Sequence, residues 1–253
     1  MTKKIVVITG GAKGIGLGCA KIFVRDGYQV VLLDLDPTGL QVADSLGKDA
    51  FFIQCDVSKE KQVEESIQVG IEQFGEISVL VNNAGIQRYS KVTDTTEEEW
   101  DLVMNTNLKS AFLCAKYAIP SMLRNGGGVV INISSVQAFV SQENVAPYAT
   151  AKTAMLGLSR CIAIDYAPTI RSVAVCPGTI DTPLVRNAFD LSPDPGAVYQ
   201  ECVDMHLLKK IGEPSDVGEL VAFLASDKAS FFTGQAVRID GGLGTMIQGS
   251  KRS

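Results

Sequence analysis

The sequence predicts an α/β protein, a single doubly wound domain over residues 1–253 with a seven-stranded parallel sheet flanked by helices. Three observations predict it. Short Val/Ile-rich runs alternate with longer segments of helical period along the whole chain. The short runs show little polar alternation, as strands buried on both faces of a parallel sheet do. No linker, low-complexity tract or internal repeat interrupts the alternation, and 253 residues are enough for one large domain with a well-buried core.

The elements follow in order. KIVVIT (4–9) reads as the first strand, and GGAKGIG leads from it into a helix over 14–26. QVVLLD (29–34) precedes a helix over 37–47. FFIQCD (51–56) precedes a helix over 59–74, with Ser58 as a start signal ahead of KEKQVEESI. ISVLVNNAG (77–85) is followed by a long helix over 97–124, for which Thr96 and Glu99 offer a capping box. GVVINISS (128–135) leads to a helix over 148–167 with Pro147 in its first turn. IRSVAVCPG (170–178) is the sixth strand. Residues 179–213 then carry no clear strand and include FDLSPDPGAVYQ, an insertion expected to form a mobile lid over a site at about 183–210. A helix over 214–226 starts near Pro214, and QAVRIDGG (235–242) closes the series.

Composition narrows the function. The net charge of −5 and the lack of a Lys/Arg-rich run argue against a nucleic-acid partner. No stretch of about 18 apolar residues predicts a membrane span. The N-terminus lacks a signal-peptide pattern, which leaves a cytoplasmic protein as the expectation. Six cysteines, none in a CxxC pair, read as buried free thiols of a reducing compartment. His206 is the only histidine. No ligand-spaced cysteine or carboxylate cluster surrounds it, so neither a metal site nor a Ser–His triad is expected, and it reads as a loop or surface residue.

Within PYATAK, Tyr148 and Lys152 lie one helical turn apart on one face. A phenol titrates near pH 10, and an ammonium held close lowers that value, making tyrosine usable as an acid or base. The spacing alone is equally that of an ordinary exposed pair.

The turn VVITGGAKGIG places Gly10, Gly14 and Gly16 between a strand and a helix start. Glycines there let backbone amides approach a pyrophosphate at the helix N-terminus. Asp34, 18 residues beyond Gly16, stands where a carboxylate accepts hydrogen bonds from the adenosine ribose and repels a 2′-phosphate. It favours NAD over NADP. Lys13, a cation in the glycine turn, pulls the other way. Asp56 and Val57 after the third strand either bracket the adenine or serve as a helix N-cap region and a core valine. Ile15 and Leu35, beside the turn and beside Asp34, join the expected cofactor contacts.

TGGAKGIG, NNAG at 82–85, NISS at 132–135, YATAK at 148–152 and PGTIDTP at 177–183, taken together and in this order, resemble the short-chain dehydrogenase/reductase family over nearly the whole chain. The resemblance implies a Rossmann-like domain that transfers hydride between a nicotinamide and an alcohol or carbonyl carbon. It implies that Tyr148 is the base, that Lys152 lowers its pKa and reaches the nicotinamide ribose, and that Ser135 holds the substrate oxygen. It further implies that Asn107 holds a relay water, that Asn83, Ala84 and Gly85 line the adenosine side, and that Pro177, Gly178, Ile180 and Thr182 embrace the carboxamide. The resemblance also implies that subunits pair through helices, here 102–124 and 148–167, usually as homotetramers, with a homodimer as the alternative.

The substrate is expected to be a small polar alcohol or sugar. Gln87, Arg88, Gln137, Gln142, Asn144, Arg186 and Asn187 would suit several hydroxyls. VNISSVQA, DYAP, AVCPGTIDTPLVR and FLASDKASFFTG are similar to the family's aldose dehydrogenases, and by that analogy Gln87 and Gln137 are the substrate contacts. Gly178 stands where some of those enzymes carry alanine. A 3-oxoacyl-acyl carrier protein reductase and a hydroxysteroid-type alcohol dehydrogenase are the alternatives within the enzyme class. A dinucleotide-binding protein without catalysis is the alternative outside it.

Overall fold

A computed structural model describes residues 3–245; the ends of the expected 1–253 domain lie outside the described residues. Seven parallel strands form one sheet in the order β3-β2-β1-β4-β5-β6-β7. They are β1 (Ile5–Thr9), β2 (Gln29–Asp34), β3 (Ala50–Gln54), β4 (Val79–Asn82), β5 (Gly128–Ile133), β6 (Ile170–Pro177) and β7 (Ala236–Ile239). Each falls on a run read from the sequence, with β3 starting one residue before its run, at Ala50. The runs at 77–85 and 235–242 overshoot their strands most at the C-terminal end; in the first, Asn83, Ala84 and Gly85 leave the ladder to line the cavity.

Successive side chains of a strand point to opposite faces, and the core divides accordingly. Val6 and Ile8 pack with Cys19 and Phe23 of α1 (Gly14–Arg25) and with Val217 and Val221 of α9 (Pro214–Ala225). Val7 and Leu80 face the other way, toward Val63 and Ile67 of α3 (Glu60–Phe74), Leu113 and Met122 of α5 (Ser110–Arg124) and Ile162 of α6 (Ala146–Tyr166). α2 (Gly39–Leu46) packs beside β3. β1 lies between β2 and β4, so the strand order reverses beside it. A crevice opens there at the carboxyl ends of the strands.

Three expectations need correction. The helix over 97–124 is interrupted: α4 (Glu97–Met104) and α5 are joined by a π-helical turn, Asn105–Lys109. Periodicity does not register one inserted residue in a continuous apolar segment. Ser58 does not cap α3, because its hydroxyl donates to Asp56 Oδ1 at 2.7 Å; Thr96 does cap α4, accepting from the Glu99 amide at 3.2 Å. The insertion is not irregular. It holds α7 (Pro183–Phe189) and α8 (Pro195–Met205), whose Phe189, Cys202 and Ile211 form a small core of their own. Among the described residues, no helix is long and apolar enough to cross a membrane.

Candidate active site

A cavity of about 910 Å³ opens over the carboxyl ends of β1, β2, β4, β5 and β6. Every catalytic, cofactor and substrate candidate except Gly16, Asn107, Asn144 and Arg186 lines it.

One end of it starts at the glycine turn. Gly10 and Gly14 adopt φ of 62° and 51°, a conformation favouring glycine. Gly16 lies beneath the turn: a Cβ there would stand 2.1 Å from the Gly10 carbonyl oxygen. Asn83 fixes the turn from β4, donating through Nδ2 to the carbonyls of Thr9 (2.9 Å) and Gly10 (3.0 Å). The amides of Asn83 and Ala84 both donate to Thr9 Oγ1. Asn83 therefore shapes the turn from below, as well as lining the cavity. Thr182 reaches the turn from the opposite wall, since a Cβ on Gly14 would stand 3.1 Å from its methyl.

Asp34 accepts from the Ala12 amide through Oδ2 and from the Asp36 amide through Oδ1, both at 2.9 Å. Lys13 forms a salt bridge with Asp36. That hydrogen bond raises the Lys13 pKa and holds the Asp36 carboxyl down at about 2. The one cation of the glycine turn is thus engaged by a carboxylate beside Asp34. The next pair stands in the cap region and the core, at the cavity edge. Asp56 Oδ1 accepts from the Ser58 amide at 3.0 Å ahead of α3, Val57 is core, and both line the cavity.

At the other end, α6 carries Tyr148 and Lys152, both buried. The Lys152 ammonium lies 5.6 Å from the Tyr148 ring centre and donates to the Ile133 carbonyl at 2.8 Å. Ser135, at the end of β5, accepts from the Gln137 amide at 3.1 Å. Burial pushes the Tyr148 phenol up to about 12, against the Ser135 hydroxyl beside it, which lowers it. Burial brings Lys152 down to about 8. The expectation that Lys152 sets a depressed Tyr148 pKa is corrected for the protein by itself: burial dominates at both groups, and the group that lowers the Tyr148 value is Ser135.

Asn107 sits fully buried in the π turn, where its side chain accepts from the Ile86 amide and donates to the Ile86 carbonyl, each at 2.8 Å. Asn107 and Lys152 flank one glycine. A Cβ on Gly85 would stand 3.3 Å from Asn107 Oδ1 and 3.5 Å from Lys152 Nζ.

Pro177, Gly178, Ile180 and Thr182 form the wall after β6. Of the polar candidates, Gln87, Arg88, Gln137, Gln142 and Asn187 line the cavity. Arg186 does not, because it pairs with Asp181 through two contacts of 2.6 and 2.7 Å. Asn144 does not line it either; it takes φ 61° in the loop before α6. Gln87 Nε2 and Gln137 Oε1 are buried with no hydrogen-bond partner. α7 and α8 add an apolar wall of Leu184, Val185, Phe189 and Met205 that sequence reasoning missed. His206 is not a surface residue: it is 2% exposed and its ring lies against Gly178 and Gly241. Cys161 departs from the expected buried thiols and is exposed. Among the described residues, no group of three or more His, Cys, Asp or Glu is placed to hold a metal.

The chain matches, over residues 10–244, the family model described as enoyl-(acyl carrier protein) reductase. It is 36% identical over 241 residues to L-fucose dehydrogenase of Oryctolagus cuniculus, covering 94% of this chain and 84% of that one. It is similar to the solved aldohexose dehydrogenase of Thermoplasma acidophilum, with TM-score 0.92, 40% identity and coverage of 100% and 98%. It is also similar to the 3-ketoacyl-(acyl-carrier-protein) reductase of Brucella melitensis solved with NADH, with TM-score 0.88, 32% identity and coverage of 96% and 99%. These matches run nearly the length of the chain, and they place it in the short-chain dehydrogenase/reductase family, oxidoreductases that use a nicotinamide cofactor on CH–OH groups.

Proposed function

We propose that the protein is an NAD-dependent dehydrogenase of aldoses or polyols. The observation that carries this reading is the pair of unpartnered buried groups in the cavity wall, the donor Gln87 Nε2 and the acceptor Gln137 Oε1. Buried polar groups are rarely left unpaired, and a substrate hydroxyl both donates and accepts. A polyhydroxylated ligand meets both requirements next to Ser135 and Tyr148. The relatives named for L-fucose and aldohexose support the same class.

The residues present fit a dinucleotide. The glycine turn bares the α1 N-terminus, and Asp34 stands at the end of β2. Lys13 is held by Asp36, which weakens its pull toward a 2′-phosphate and supports NAD. When bound, the oxidised nicotinamide supplies the hydride acceptor and a positive ring charge. Ser135 holds the substrate oxygen, and Tyr148 Oη takes its proton. Lys152 supports the phenolate, and Asn107 holds a water in the space that Gly85 leaves bare, linking Lys152 to solvent. α7 and α8 cover the substrate as a lid. The reading extends to a cytoplasmic homotetramer, in keeping with six unpaired cysteines and with the exposed Phe112, Leu123 and Ile164 on α5 and α6.

One observation favours a second reading. The apolar lid wall suits a thioester acyl chain or an apolar ketone, as does the likeness to a 3-ketoacyl-(acyl-carrier-protein) reductase. A substrate panel separates the two. Aldoses and polyols are tested for oxidation, and an acetoacetyl thioester and a cyclic ketone for reduction, each with NAD(H) and NADP(H). Aldose oxidation preferring NAD is the expected result; thioester reduction by NADPH without aldose oxidation would overturn the reading.

A further inference from the structure

We propose that His206 is a positioning residue that couples the lid helix α8 to the cofactor wall after β6, acting through Thr179. The inference rests on the reading of Pro177–Thr182 as the nicotinamide side.

The imidazole sits at the C-terminal end of α8, and both its nitrogens are engaged. Nδ1 lies 2.6 Å from the Cys202 carbonyl, a contact that requires Nδ1 to donate. Nε2 accepts from the Thr179 amide at 3.2 Å. One donor and one acceptor define a neutral imidazole of a single tautomer. Thr179 is gripped by the same unit at its other groups. Its carbonyl accepts from the Gly212 amide at 2.9 Å, and its side chain lies against the Cys202 thiol.

The ring has no room to move away. A Cβ on Gly178 would stand 2.9 Å from Nε2 and 2.9 Å from Asp240 Cα, and a Cβ on Gly241 would stand 3.1 Å from Cδ2. The lid core of Phe189, Cys202 and Ile211 is separate from both sheet cores. The His206–Thr179 bond is a direct polar link from the end of α8 into the wall formed by Pro177, Gly178, Ile180 and Thr182. A ligand that shifts α8 changes the wall, and by linkage occupancy of the wall biases α8.

The test compares the dissociation constants of NADH and of ADP-ribose, which lacks the nicotinamide, in the wild type and in two variants. H206N keeps a donor near the Cys202 carbonyl and removes the acceptor reaching Thr179; H206Q restores an acceptor at that reach. The expected result is that H206N weakens NADH about tenfold, the effect of stranding one buried amide, leaves ADP-ribose unchanged, and is largely rescued in H206Q. Equal weakening of both ligands, no weakening, or H206Q no better than H206N would overturn the inference. If H206N does not fold, H206L, which removes both polar contacts at similar volume, supplies the test; it is expected to weaken NADH alone, and an unchanged NADH affinity would overturn the inference. Wild-type protein that binds neither ligand would instead reject the cofactor reading on which the inference rests.

Discussion

Burial drives Tyr148 and Lys152 toward their neutral forms, the phenol up to about 12 and the amine down to about 8. For the lysine this has a stability consequence of definite sign. Its pKa in the folded chain lies below the ordinary value of 10.5, so between about pH 8 and 10.5 the unfolded chain binds more protons and stability rises with pH. Below that window the buried ammonium costs the fold up to about 3 kcal/mol, from 1.36 kcal/mol per unit of pKa. Part is returned by its bond to the Ile133 carbonyl. Lys152→Met is therefore expected to abolish turnover yet stabilise the protein at neutral pH by about 1–2 kcal/mol. The gain should shrink as pH climbs through the window. Chemical denaturation at several pH values measures it, and a destabilised variant would contradict this account of the lysine.

The helices show what the sequence could and could not reveal. The strand–helix series and the five motifs were legible because each depends on local chemistry: apolar runs, glycine turns, and a Tyr–Lys pair one turn apart. The lid helices also carried their signals, with Thr182 ahead of Pro183 and Asp194 ahead of Pro195 as N-caps before a first-turn proline. What stayed hidden depends on contacts between distant segments. The burial of His206 needs Thr179, Gly178 and Gly241 around it, and the engagement of Arg186 needs the geometry of Asp181. Gly18 is a further case, since its spacing in GIGLG gives no reason for a glycine inside a helix. In the fold a Cβ there would stand 2.5 Å from the Pro214 carbonyl oxygen, where α9 crosses α1. Gly→Ala in a helix interior ordinarily stabilises by about 0.5–1 kcal/mol. Here the expected sign reverses, to a loss of about 1–3 kcal/mol from overpacking. A urea midpoint equal to or above that of the wild type would refute this account of the crossing.

At the scale of the molecule, the reversal of strand order beside β1 determines where everything converges. The glycine turn, the Asn83 strap, the Tyr148–Lys152 face of α6 and the wall after β6 all hang from the same end of one sheet. The far sides of α5 and α6 leave Phe112, Leu123 and Ile164 exposed, and a partner subunit would cover them. Light scattering should find a particle several times heavier than one chain; a monomer at assay concentration would reject the assembly. The central claim is that Tyr148 is the base of an alcohol oxidation. The rate of NAD reduction by the best aldose, measured against pH in the wild type and in Tyr148→Phe, tests it most directly. The account predicts that the wild-type rate rises with pH as the phenol ionises. It predicts that the variant still binds NADH but falls by about 10²- to 10⁴-fold and loses the pH dependence; a variant that oxidises the sugar at a comparable rate would contradict it.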